Sequence, residues 1–182
     1  MTQFRVIYVG ASLSGRCVST SEVLRFAGKH DSSRWTGREE YELAFVDRDI
    51  RNELVVSISH ARAQRFSYDP TSSELQPEIA EEISGLERAD GIVFVIDGQI
   101  ERWHANLHEF EKLQRDLRSR GMDASKKPTV FQINKRDLPS YAWTEEMARH
   151  FYADRCAYVE TCAERGDEAI EAFRTLVRMI RD

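Results

Sequence analysis

Short apolar runs and longer amphipathic ones alternate along this chain. "FRVIYVG", Phe4 to Gly10, is mostly apolar, rich in β-branched and aromatic residues, and stops at a glycine as a buried strand does. The stretch Arg16 to Phe26 then offers Val18, Val23, Leu24 and Phe26 as a loose apolar face at helical spacing. "ELVVSISHA", Glu53 to Ala61, and "GIVFVID", Gly91 to Asp97, read as strands, with helical composition between them from Glu78 to Leu86. Beyond Asp97, the residues Trp103, Leu107, Phe110, Leu113 and Leu117 form one stripe of an amphipathic helix closed by Gly121. "PTVFQIN" returns to a strand, and Thr144 is the N-cap of a helix with Glu145 and Glu146 in its first turn. "CAYVET" is a short strand, and Asp167 to Arg181 a helix with Ile170, Phe173, Leu176, Val177 and Ile180 inward.

Parallel strands need crossovers, and helices supply them. The expectation is therefore an α/β fold, three-layer, with a mainly parallel central sheet and helices on both faces. At 182 residues the chain supports one substantial core, so residues 1–182 are expected to form a single domain. In such sheets ligands gather at the carboxyl ends of the strands.

Composition narrows the partners. A net charge of -5 argues against a nucleic-acid surface, which needs clustered lysine and arginine. No apolar run reaches bilayer length, and "MTQFRVIYVG" lacks the make-up of a signal peptide, so a cytoplasmic protein with no integral membrane segment is expected. Thr2 and the ending "VRMIRD" carry no lipidation signature. Cys17, Cys156 and Cys162 show no C-x-x-C spacing, which predicts separate, reduced thiols. His104 and His108, four apart, are two ligands without a third, so surface histidines are the simpler reading. Trp103 lies on the apolar stripe and reads as core, whereas Trp35 is a candidate contact residue or part of a rearranged loop.

The loop after the first strand is "GASLSGRCV". Gly10 and Gly15 have the spacing of a phosphate-binding loop, in which backbone N–H groups and a helix N-terminus cradle phosphate, a lysine reaches its oxygens, and a hydroxyl binds Mg²⁺. Ser12, Leu13 and Ser14 leave the backbone part intact. Arg16 stands at the lysine position with a wider, planar cation, and Cys17 puts a soft thiol where Mg²⁺ needs hard oxygen. Gly10, Ser12, Leu13, Ser14, Gly15, Arg16, Cys17 and Val18 are the candidate phosphate-side residues, with no metal ligand among them.

A later strand ends in Asn134-Lys135-Arg136-Asp137, an N-K-x-D tetrad. In the guanine-reading motif of that form the aspartate accepts from the N1–H and amine of guanine, the asparagine ties loops together, and the lysine stem lies over the base. Thr161-Cys162-Ala163, after the next strand, stands where a backbone N–H would meet guanine O6. The D-x-x-G that should follow the middle strand is missing: the chain there reads "HARAQRF".

On these motifs the chain resembles the Ras-like small GTPases, and among them the bacterial gliding-motility and cell-polarity GTPases of the MglA type. The resemblance is densest across "DGIVFVIDGQIERWHANLHEFEKL" and "QINKRDLP". It implies the P-loop small GTPase fold and GTP or GDP as ligand. It also implies guanine contacts from Asn134, Lys135, Asp137, Cys162 and Ala163, with Gln64 in place of the catalytic glutamine and Ala63 in place of the switch glycine. Thr36 is the threonine available to a first switch. Arg16, Cys17, Arg62 and Ala63 depart from the family pattern on the phosphate, metal and switch side.

Two readings stay open. One is a pseudo-GTPase that binds guanine nucleotide weakly or not at all and acts through protein contacts. By resemblance its partner is a roadblock-type regulator or another GTPase, in motility, polarity or related signalling. The other is an active, atypical GTPase using Arg16 as a phosphate clamp and Gln64 to place water, completed by a partner. An ATP-linked P-loop protein is a third and weaker reading, because the guanine motif is the better preserved of the two.

Overall fold

A computed structural model describes residues 2–26, 41–45, 54–60, 85–123, 126–151 and 157–182. Six strands form one sheet: β1 (Thr2–Gly10), β2 (Tyr41–Phe45), β3 (Leu54–His60), β4 (Gly91–Asp97), β5 (Thr129–Asn134) and β6 (Ala157–Glu160). Their order across the sheet is β2-β3-β1-β4-β5-β6. All neighbours pair in parallel except β2 with β3. Four described helices flank the sheet: α1 (Arg16–Phe26), α2 (Trp103–Ser119), α3 (Glu145–His150) and α4 (Gly166–Arg181). This is the α/β P-loop fold that the alternation and the motifs predict.

The alternating direction of strand side chains divides the core in two. Val6, Tyr8, Val93, Val95 and Val130 face α1 and α4, meeting Val23, Leu24, Phe173, Leu176 and Val177. Ile7, Val9, Ile92, Phe94, Ile96 and Phe131 face the other side, where α2 supplies Phe110, Leu113 and Leu117. Phe94, Phe110, Phe131 and Phe151 cluster there, with the Phe110 and Phe151 ring centroids 5.1 Å apart and those of Phe94 and Phe110 5.3 Å apart. Each such pair adds about 0.5–1.5 kcal/mol beyond area burial. Every residue of β4 is buried, as a strand covered on both faces requires.

Element boundaries follow the pattern with informative exceptions. Thr144 Oγ1 accepts from the Met147 N–H at 3.2 Å, an N-cap bond. Met122 N–H donates to the Leu117 carbonyl and Gly121 N–H to that of Arg118, the paired bonds that end α2. Ahead of α2, residues Ile100–Arg102 form a 3₁₀ turn. The apolar face expected on α1 needs correction: Val18 and Phe26 are 40% and 46% exposed, while Ser19 and Thr20 are buried. The buried hydroxyls are satisfied within the helix, Ser19 Oγ donating to the Gly15 carbonyl and Thr20 Oγ1 to that of Arg16. Trp103 is half-buried, standing edge-on to Phe151 and to His150. The antiparallel strand β2 was not expected.

Of the helix expected from Glu78 to Leu86, only its end is described, as a helical turn at residues 85–88. Trp35, Thr36, Arg62, Ala63, Gln64 and Cys156 lie outside the described residues.

Candidate functional site

The carboxyl ends of β1, β4, β5 and β6 stand side by side, with Asp97 in register with Asn134 and Gly10 with Val95. The chain leaves β1 through Gly10 at φ +146°, and a Cβ there would lie 2.1 Å from the Val95 carbonyl oxygen. Only glycine lets the loop turn so close to β4. Leu13, 82% exposed, takes φ +66°, a left-handed conformation that costs a non-glycine residue about 1 kcal/mol. The loop closes into α1 through a Ser14 N–H bond to the Ala11 carbonyl at 3.2 Å. The leading N–H groups of a helix have no partners within it, so this turn aims donors and positive potential out of the sheet edge.

Side chains on this loop are unequal. Ser12 and Cys17 are exposed, Arg16 is buried at 6% exposure, and the Ser14 hydroxyl is buried without a hydrogen-bond partner. Val18 projects from the outer side of α1.

Asn134 is the joint between this loop and the base-side loops. Its Nδ2 donates to the Ser14 carbonyl at 2.8 Å, and its Oδ1 accepts from the Ala163 N–H at 2.7 Å and the Thr161 hydroxyl at 3.4 Å. The next residue, Lys135, takes φ +66° and donates to Asp97 Oδ2 at 2.7 Å and to Gln99 Oε1 at 3.3 Å. Asp97 is itself fixed by a pair of bonds with Asn106 on α2. Asp137 is exposed at the rim. Burial pushes the Cys162 thiol above its ordinary range, and a hydrogen bond to the Asp137 carboxylate adds to the shift. The structure thus brings Gly10, Ser12, Leu13, Ser14, Gly15, Arg16 and Cys17 to one edge with Asn134, Lys135, Asp137, Cys162 and Ala163.

Three further residues belong to this edge. Arg102 donates through Nη2 to the Ser12 carbonyl at 2.6 Å, with its Nε 3.6 Å from Asp97 Oδ2. Arg136 grips the Glu168 carboxylate with two donors, and the same carboxylate accepts from the Cys162 N–H at 2.6 Å. The guanidinium holds the Glu168 carboxyl below its ordinary range. In the sequence, Arg136 is the variable member of its tetrad and Glu168 a first-turn helix acid. Nothing local announces that they meet.

His104 and His108 are exposed, and among the described residues no three His, Cys, Asp or Glu side chains are grouped to hold a metal ion. The donor set at the phosphate loop does not fit Mg²⁺: the residue in the first turn of α1 is a thiol, and this ion takes hard oxygen ligands. No helix among the described residues is long and apolar enough to cross a membrane.

No family model matches the chain. Among curated proteins, the mutual gliding-motility protein MglA of Myxococcus xanthus (strain DK1622) is 35% identical over 95 residues, covering 52% of this chain and 49% of that protein. The chain thus spans about half the length of the curated relative it matches. This similarity supports a small-GTPase relationship.

Proposed function

We propose that the loop edge is a guanine-nucleotide pocket whose metal and hydrolytic functions are impaired, in a pseudo-GTPase that works through protein contacts. The observation that carries this is Asn134, which joins the phosphate-type loop at the Ser14 carbonyl to the base-side turn at the Ala163 N–H. In this reading the backbone from Gly10 to Val18 holds the phosphates. Asp137 reads the guanine edge, the Ala163 amide meets O6, and the Lys135 stem covers the base. Cys17 cannot supply the hydroxyl that Mg²⁺ takes, so no hydrolytic step is assigned to the ion. The similarity to a gliding-motility protein supports a setting in bacterial motility, and the resemblance implies polarity or related signalling as the wider setting, with a roadblock-type regulator or another GTPase as partner.

Titration calorimetry with GDP and GTP, with and without Mg²⁺, tests the proposal. Binding that is weak and indifferent to Mg²⁺, with ATP unable to compete, is the expected result. Arg16 favours the alternative of an atypical active enzyme, because it keeps a cation in the first turn after the loop. Phosphate release that depends on Mg²⁺ and rises with a partner protein would establish that alternative.

A further inference from the structure

Gln132 is fully buried on β5, on the sheet face it shares with Val130, under α1 and α4. Its Nε2 donates to Ser19 Oγ at 2.8 Å and to Thr161 Oγ1 at 3.1 Å, while its Oε1 has no hydrogen-bond partner. A buried amide with an empty acceptor costs stability that an apolar side chain of the same shape would not. Its contribution therefore lies elsewhere, and its two donors indicate where. Ser19 Oγ in turn donates a hydrogen bond to the Gly15 carbonyl at 3.1 Å, inside the phosphate-type loop. Thr161 precedes Cys162 and Ala163 and reaches Asn134 Oδ1 at 3.4 Å. A buried chain of hydrogen bonds therefore runs from Gly15 through Ser19, Gln132 and Thr161 to Asn134, which returns to the loop at Ser14.

We infer that Gln132 is a positioning residue that locks the phosphate-type loop to the base-side turn, so that ordering one orders the other. Asn134, itself buried, makes the same connection at the end of β5, and Gln132 makes a second one two residues back along the strand, where water does not compete either. The consequence for ligand affinity rests on the guanine-nucleotide reading; the mechanical tie does not.

Gln132→Met keeps length and volume and removes both donors, and Ser19→Ala cuts the chain at its next link. Amide hydrogen exchange in the ligand-free protein is the first measurement. Both variants are expected to fold, and exchange at residues 12–17 and 161–163 to accelerate together by about five- to tenfold, the loss of one net hydrogen bond. Unchanged exchange at both loops in both variants, or acceleration confined to one loop, overturns the inference. In the second measurement, Gln132→Met is expected to weaken GDP, which would engage both loops, several-fold more than guanosine, which lacks the phosphates. Equal losses for GDP and guanosine would mark a merely structural role. If the unaltered protein binds no GDP, the nucleotide reading fails, and exchange still decides the tie.

Discussion

Gly15 and Asn134 exclude each other's growth. A Cβ on Gly15 would lie 2.1 Å from Asn134 Nδ2, and the glycine backbone sits at φ +98°. The side chain in the way is held by three bonds, to Ser14, Thr161 and Ala163, so it cannot swing aside without releasing both loops. Gly15→Ala is therefore expected to destabilise the fold by about 2 kcal/mol or more, combining backbone strain with a broken joint. In a chain of this size that is a fall in Tm of about 5 °C, readable by calorimetry. An unaltered Tm would show that the joint yields freely.

The Asp97 side chain has no solvent exposure and lies between Lys135 at 2.7 Å and Arg102 at 3.6 Å. Removing one partner of a fully buried pair costs about 3–5 kcal/mol. Lys135 and Arg102 remain 26% and 32% exposed, which lowers the expectation for Asp97→Ala to about 2 kcal/mol. Asp97→Asn, which retains an acceptor for the Gln99 N–H, is expected to lose less. Urea unfolding of the two variants ranks them; a larger loss for the asparagine would show that acceptor geometry matters little there.

Much of this edge is legible in sequence, because its backbone chemistry is local. A glycine pair after a strand, or N-K-x-D after another, needs only its own spacing to be recognised. The links between motifs are not local. Arg102 meets Ser12 across 90 residues and Gln132 meets Ser19 across 113, so no window along the chain contains both partners. Helix α1 spans the expected residues, but its inward face is only half legible: Val23 and Leu24 are buried as the pattern has them, while Ser19 and Thr20 beside them are satisfied by bonds to the helix's own carbonyls. Strand β2 is a five-residue run at the sheet edge, too short for alternation to separate it from a loop.

Acid should loosen the base-side turn. The Glu168 carboxyl is held below its ordinary value of 4.5 by its bond from Arg136. A carboxyl depressed in the folded state stabilises it above the unfolded value, and the contribution is lost as pH falls through the folded value. The Cys162 amide, which donates to the same carboxylate, should report this in an NMR titration with a midpoint below 4.5. A midpoint at or above that value would show that the Arg136 contact is not maintained in solution.

Two thiols on one edge should differ in reactivity. Cys17 is exposed, whereas Cys162 is buried and its thiol is kept protonated by burial and by Asp137. With iodoacetamide at neutral pH, mass spectrometry is expected to find Cys17 alkylated and Cys162 spared, Cys162 reacting only in alkaline or unfolding conditions. Excess GDP is expected to slow alkylation at Cys17, since a ligand filling the phosphate loop would cover it. Alkylation of Cys162 first would mean that the base-side turn opens in solution.

The phosphate-type loop carries Arg16 and Cys17 where the proposed reading wants a lysine and a hydroxyl, so substituting those two isolates their effect. Cys17→Thr supplies a hard oxygen at an exposed first-turn position, where the change disturbs no core packing. Arg16→Lys replaces a buried planar fork with a narrower cation able to follow the loop. Charge-assisted contacts contribute about 1.5–3 kcal/mol each, so the double variant is expected to gain roughly tenfold to a hundredfold in GDP affinity. The gain should appear only with Mg²⁺ present, because the added hydroxyl acts through the ion. A gain without Mg²⁺ would assign the limiting defect to Arg16 alone. No gain in either condition would show that Arg16 and Cys17 do not limit GDP affinity.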